Sequence, residues 1–417
     1  MLKGSINISI IVVVSWLLMS CNSGKLSSFN YNNMYNQGIS VLNPDLFVKH
    51  TQDSAILFLI INPAELLFKN GSGEFEASVY FTFSVYENYT SSKVIDSVCQ
   101  RYTLKKNNLA NPLTLQLRLP KPALPSYIAH ASLHDLHRSK HTEKNIRVDA
   151  SSMQSAINFS IWSINDSSWQ YTNWVRNNAA YKITGDGLHQ QCWVRYFKDD
   201  FPIAAPPFKQ TDLTKFSYKS DSAYRFTFDT DVFAPDFIGL YHFQYDTLIK
   251  DGLTLIYEDN DYPRIRSAAQ MKQQMRYITT NEEYNSIINS DGGSKHFDDF
   301  WLKCAGNESD VKKLQELYFQ RVQQTNKFFT SYTSGWKTDR GMMYIVFGPP
   351  AEVYRNNKEE TWAYTLFNQN SVRFTFARVK NPFSDNDYQL IRSISYEYPW
   401  TGMVDMWRKG EIKILKN

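Results

Sequence analysis

Three observations predict an α+β chain of several domains: two serial antiparallel β-sandwich-like domains (45–148 and 149–260), a helical bridge (261–333) and a C-terminal α+β domain (334–417). The first is the run Phe75, Ala77, Val79, Phe81, Phe83, Val85, alternating with Glu74, Glu76, Ser78, Tyr80, Thr82 and Ser84. A period of two puts one face of a strand in a core and the other in water. The second is apolar residues recurring at three and four positions between 263 and 329, the stripe of amphipathic helices. The third is an aromatic content of 15%, with 26 Tyr and 27 Phe, rings that fill pleated, half-buried surfaces. A chain of 417 residues has room for two or three domains.

Residues 1–20 predict a secretory signal peptide. Lys3 gives it a positive start, and an apolar run over 6–19 ends in Leu18-Met19-Ser20-Cys21. The run is too short and wrongly flanked for a membrane span. Leucine, a small residue and cysteine in that order resemble a lipobox, with cleavage before Cys21 and attachment of palmitate-type chains there; Met19 is its unusual occupant. Each buried methylene contributes roughly 0.8 kcal/mol, so several chains hold a soluble domain at a membrane. Asn22 rather than Asp resembles the enteric rule for the outer membrane, and the absence of acids over 22–28 favours a periplasm-facing anchor. Residues 21–44 are rich in Asn, Ser, Gly and Tyr and predict a lipidated tether.

The formal charge is +4, and loss of Lys3 lowers it to +3. So small a balance argues against a nucleic-acid binder. Beyond Cys21 only Cys99, Cys192 and Cys304 remain, which predicts buried free thiols rather than a disulfide framework. No cofactor is implied.

In the first region, the apolar run 55–61 predicts a strand buried on both faces. Further strands are expected at 101–105, 113–119 and 127–136, separated by turn signals, as in a sandwich. His130, His134, His137 and His141 would line one face of a helix and could hold zinc there. On a strand His137 would leave that face, and a strand running into a basic loop is the better fit to the preceding Pro122 and Pro125.

In the second region, strands are expected at 156–164, 224–228, 237–245 and 253–257. Trp162, Trp169, Trp174 and Trp193 fall close together; such a cluster could grip a sugar or peptide, but core packing is the commoner use. Ala204-Ala205-Pro206-Pro207 predicts a surface loop. The helical bridge opens at Pro263 with a stripe of Ala268, Met271, Met275 and Ile278. Thr280 with Glu283 forms a capping box, Asp291-Gly292-Gly293 is a stop, and Phe297, Phe300 and Trp301 mark a third helix. Val311, Leu314, Tyr318, Val322, Thr325 and Phe329 form the stripe of the longest.

Everything after it hangs on Gly335-Trp336-Lys337-Thr338-Asp339-Arg340-Gly341, followed by the apolar stretch 342–347 and then Gly348-Pro349-Pro350. The pattern predicts turn, buried strand, turn. Strands at 362–367, 372–379 and 390–396 and a final helical turn at 400–407 complete an α+β unit, with Gln369-Asn370 as a hairpin turn.

Gly335, Trp336, Thr338, Asp339 and Gly341 resemble the signature of the GWxTD-domain family, secreted or lipid-anchored proteins of Bacteroidetes-type bacteria. The resemblance spans roughly 260–410 and implies an address and an architecture, not a reaction. Chemically, Asp339 could act as acid or base with Glu352, Glu359 or Glu360 as a second carboxylate, and Arg340 could orient a substrate, the pattern of an envelope hydrolase. Yet residues 334–417 contain no His, no GxSxG elbow and no phosphate-cradling loop. A structural role is more economical: Trp336 fills a pocket, Asp339 ties a turn and Gly341 starts the next element. The expectation is a non-enzymatic lipoprotein at the outer membrane, binding or scaffolding an envelope protein partner.

Overall fold

The alternation from Phe75 onward forms a twelve-residue strand, Phe75–Tyr86, at the centre of a five-stranded antiparallel sheet with Lys69–Asn70, Val94–Lys105, Ser126–Asp135 and Lys140–Asp149. The computed structural model describes residues 24–36, 42–71, 73–106, 112–185, 187–199, 201–211, 218–258, 261–290, 293–366 and 371–412. The leader, Cys21, the 291–292 stop and the 369–370 turn lie outside them. A second sheet, Asp45–His50, Ser54–Ile61 and Leu113–Pro120, covers the first. Val79, Phe81 and Phe83 from one sheet meet Leu57, Leu59 and Leu117 from the other in a common core, each at most 3% exposed. Phe75, expected on that inner face, is 52% exposed because it lies beyond the covering sheet's reach at the strand end. Ser126–Asp135 runs into the expected basic turn, 136–139 with His137 and Arg138, and Lys140–Asp149 returns from it as the second strand of the hairpin.

The second region holds two sheets. One is small: Ser168–Gln170, Ser160–Ser163, Tyr181–Thr184. The other runs Trp174–Val175, Leu253–Tyr257, Gly239–Gln244, Gln191–Lys198, Ser222–Thr227, antiparallel except for its first pair. The expected strand 156–164 is a 3₁₀ turn, Ala156–Asn158, before a four-residue strand. None of Trp162, Trp169, Trp174 and Trp193 is buried, against the core packing expected of them: they sit on the faces of these sheets that the core does not use. Cys192 and Cys304 are buried free thiols, whereas Cys99 is exposed on the outer face of Val94–Lys105.

Among the described residues, the last third is six α-helices and a four-stranded meander. The helices are α1 (Ala268–Gln273), α2 (Asn281–Ile288), α3 (Lys295–Ala305), α4 (Glu308–Phe329), α5 (Asp339–Phe347) and α6 (Glu397–Arg408). The expected capping box opens α2, where the Thr280 hydroxyl accepts Glu283 N–H at 3.2 Å and Glu283 accepts Thr280 N–H at 2.9 Å. The meander runs Glu352–Arg355, Glu359–Thr365, Ser371–Arg378, Tyr388–Leu390; the expected strand 390–396 ends at Leu390 and turns into a 3₁₀ segment.

The largest correction concerns 342–347, which is helix α5 and not a strand. All nine residues of α5 are buried. A helix enclosed on every side carries no polar stripe, so its sequence has the look of a buried strand. Helices and meander share one core, from Met275 through Trp301, Tyr318, Ile345 and Trp362 to Trp407. The boundary drawn at 333/334 therefore divides a single packed body.

The segment expected as a loose tether is also different. Over residues 30–35 it lies along the edge strand Glu352–Arg355: Tyr31 N–H donates to Val353 O at 2.8 Å, and Val353 N–H to Asn30 Oδ1 at 2.9 Å. Leu26, Tyr31 and Tyr35 are at most 4% exposed. Its low-complexity composition hid three large side chains that the cores bury.

Candidate functional site

The corner at 335–341 begins where α4 ends. Gly335–Lys337 is a single 3₁₀ turn laid against the last turns of α4. A Cβ on Gly335 would overlap the carbonyl oxygen of Thr325, and one on Gly341 that of Gly335. Both glycines are thus required by close backbone approach, and neither has the positive φ their placement in turns suggested. Trp336 is 5% exposed, its N–H held by Asn326 Oδ1 at 3.1 Å and its carbonyl by the Tyr277 hydroxyl at 2.8 Å. Thr338 caps α5: its hydroxyl accepts Gly341 N–H at 3.0 Å and donates to Gly335 O at 2.8 Å.

Asp339 and Arg340 then fasten the corner to different parts of the body. The Asp339 carboxylate accepts Leu390 N–H at 2.8 Å and pairs with Arg392 at 2.5 and 3.1 Å. It is 8% exposed. Arg340, 1% exposed, donates to Asn386 O at 2.9 Å, stacks on Tyr388 and Phe329, and lies 3.5 Å from Glu360. Glu360 is fully buried and also pairs with Arg355 at 2.5 Å, accepting the Tyr35 hydroxyl at 2.8 Å and Trp362 Nε1–H at 2.6 Å. Burial alone would push this carboxyl up; the Arg355 and Arg340 guanidiniums and the two hydrogen bonds hold it below its ordinary value.

Of the proposed carboxylate partners, none bonds Asp339. Glu352 is half-buried on its edge strand, Glu359 accepts Asn356 Nδ2–H at 3.2 Å, and Glu360 serves the arginines. The histidines separate as a strand dictates. His130 Nδ1 is 2.6 Å from Asn145 Oδ1, His137 Nδ1 is 3.1 Å from Leu67 O, and His134 faces His141 across the strand pair. Among the described residues no three His, Cys, Asp or Glu side chains gather to hold a metal. Nor is any described helix long and apolar enough to cross a membrane.

Lys337 carries the corner's contact with the second β region, pairing with Asp199 at 2.6 Å beside Glu258, whose carboxylate accepts the Ser334 hydroxyl at 2.6 Å. Ala204 N–H donates to Lys337 O at 2.9 Å and Arg392 donates to Ala205 O at 3.1 Å, so the expected surface loop 204–207 is laid against the corner. A cavity of about 580 Å³ opens beside it, walled by Ile203, Pro206, Tyr277, Glu282, Trp400 and Val404. Exposed Ile391, Ile394 and Tyr398 lie on the segment leading into Trp400. Sequence reasoning missed Arg392 and Tyr35, and gave Glu360 the wrong partner, Asp339 in place of Arg340 and Arg355. For Glu360 a signal existed: it shares a strand face with Trp362 and Tyr364, where a solvated acid does not belong.

An α+β body whose helices and short meander are bolted together at a buried Gly-Trp corner defines the class. It is a GWxTD domain: residues 239–409 match the family model of that name, and the chain carries that domain. The match starts well before the expected 260, at Gly239, and so takes in Gly239–Gln244 and Leu253–Tyr257 of the second region's larger sheet. No curated protein matches the chain.

Proposed function

We propose that this is a non-catalytic envelope lipoprotein that holds a protein partner in the cavity beside the GWxTD corner. The observation that carries it is the contrast between the two features. The corner's own Asp339 and Arg340 are used up in internal pairs, whereas the neighbouring cavity is open, and Ile391, Ile394 and Tyr398 on the segment that supplies its Trp400 wall are exposed. Apolar side chains beside a concavity are a frequent mark of protein interaction. The signal peptide and lipidated Cys21 supply the address, an outer-membrane anchor facing the periplasm. A hydrolase built on Asp339 and a glutamate draws no support from this geometry.

A photo-crosslinking residue at Ile394 or Tyr398, tested in the native envelope, should give a discrete adduct, and Trp400→Ala should weaken it. The same probe at Leu248, 90% exposed on the second region, should give none. Equal labelling at all three positions would refute a docking site. Labelling with a palmitate analogue, abolished by Cys21→Ser, tests the anchor.

A further inference from the structure

The covering sheet of the first region, Asp45–His50, Ser54–Ile61 and Leu113–Pro120, has a second face. Phe47 pairs with Phe58 and Lys49 with Ile56, and these four point away from the sandwich core. The outer face of a sandwich is ordinarily polar; here its apolar residues floor a cavity of about 620 Å³. The roof is the Ser160–Ser163 and Ser168–Gln170 hairpin of the next region, with Trp169 at the mouth, 49% exposed. Tyr171 packs on Phe47 and Phe58, with ring centroids 5.6 and 5.3 Å away. The volume lies within the range of about 300–1,000 Å³ usual for small-molecule sites.

The lining bears one charge, that of Lys49, and no acidic residue. Lys49 Nζ donates to Ser160 Oγ and lies 5.6 Å from the Trp169 ring centre. Among the described residues no carboxylate pairs with it. Burial lowers its pKa, as for a cation short of solvent and counter-charge.

We propose that this cavity binds a small amphipathic carboxylate, its apolar tail against Phe47, Phe58 and Trp169 and its anionic head on Lys49. An apolar slot with a single cation selects an anion with a hydrocarbon body. It disfavours a cation, which would meet Lys49. This site is independent of the corner and of the partner proposed for it.

Titration calorimetry of the full chain carrying Cys21→Ser, with decanoate below its micellar concentration, tests the proposal. Decyltrimethylammonium has the same tail and the opposite charge. Decanoate should bind saturably at one site and the ammonium at least about tenfold more weakly, a difference of about 1.4 kcal/mol. Lys49→Gln should cost decanoate about tenfold or more, Lys49→Arg should retain it, and Trp169→Ala should weaken both ligands. Lys106→Met, at the Lys–aromatic contact on Phe75 outside the cavity, should change nothing. Circular dichroism and thermal melts identify variants that fold. The proposal is overturned if decanoate fails to saturate, if the ammonium binds as well, or if folded Lys49→Gln binds decanoate like the parent.

Discussion

Replacing Glu258 by Gln should flatten the pH dependence of stability near neutrality. Burial, with the Asp199 carboxylate adding to it, pushes Glu258 up to about 7, and Lys337 and the Ser334 hydroxyl offset only part of this. Its ordinary value is 4.5. Between those two values the folded protein holds a proton that the unfolded chain has released. The stabilisation is therefore fully present below pH 4.5, falls as pH rises through about 7, and is flat above. At about 1.4 kcal/mol per pH unit, the interval gives an upper bound of about 3 kcal/mol. Glu258 keeps some access to water, which screens the interaction, so about 1–2 kcal/mol is expected.

The assay is urea denaturation of the non-lipidated chain at pH 5, 6.5 and 8, followed by tryptophan fluorescence. The parent should lose about 1–2 kcal/mol across this range relative to Glu258→Gln, and at pH 8 the variant should be the more stable protein. Lys337→Met removes the cation that tempers the site and should destabilise more at pH 8 than at pH 5. Parallel parent and Glu258→Gln curves, or a variant weaker than its parent at pH 8, would refute the assignment.

The corner supplies three further tests, each read by chemical denaturation. Gly335→Ala and Gly341→Ala each drive a methyl group into a backbone carbonyl, which should cost about 3 kcal/mol, the upper end for overpacking. Asp339→Asn leaves Arg392 without its counter-charge and should cost about 2–3 kcal/mol; unchanged stability would mean that the pair does not fasten the corner. Glu360→Gln strands Arg340 and Arg355 in the core and should cost about 3–5 kcal/mol. Because the Glu360 pKa is held below the ordinary 4.5, its stabilisation is present above that value and lost as pH falls through the lowered one. The variant should therefore also lose part of the acid sensitivity seen in the parent.

What was legible in the sequence was whatever one side of an element left polar. Phe75–Tyr86 showed its alternation because Ser84 and Glu76 face away from the core, and α4 showed its stripe because Lys312 and Glu316 are solvated. Elements without that contrast were misjudged: α5, enclosed all round, passed for a strand, and Gln191–Lys198 was overlooked because Arg195 and Tyr196 break up its apolar run. The signature itself was legible as a corner with a buried Trp336. Most of its partners were not, because Tyr35, Asn386 and Arg392 lie 46 to 305 positions away in the chain. Nothing local in a sequence encodes which distant cation an aspartate meets.

Those distant partners connect the corner to the start of the chain. Tyr35 donates to Glu360 and accepts from Arg340 and Arg355, and the Tyr344 hydroxyl of α5 donates to its carbonyl at 2.7 Å. On the other side, Tyr31 accepts Asn145 Nδ2–H at 2.6 Å from the first region, and Ser27 N–H donates to Tyr89 O at 2.8 Å. The segment is thus a clamp between the first sandwich and the GWxTD domain. Gly24 follows Cys21 by three residues, a reach of at most about 11 Å. If Cys21 carries the proposed lipid, the folded body lies against the membrane instead of floating on a leash. Removing one member of a buried ion network is costly, whereas an apolar replacement of the whole is often neutral. The Tyr35–Glu360–Arg340–Arg355 cluster is therefore better explained as fixing how the segment over 24–36 and the corner meet than as adding net stability.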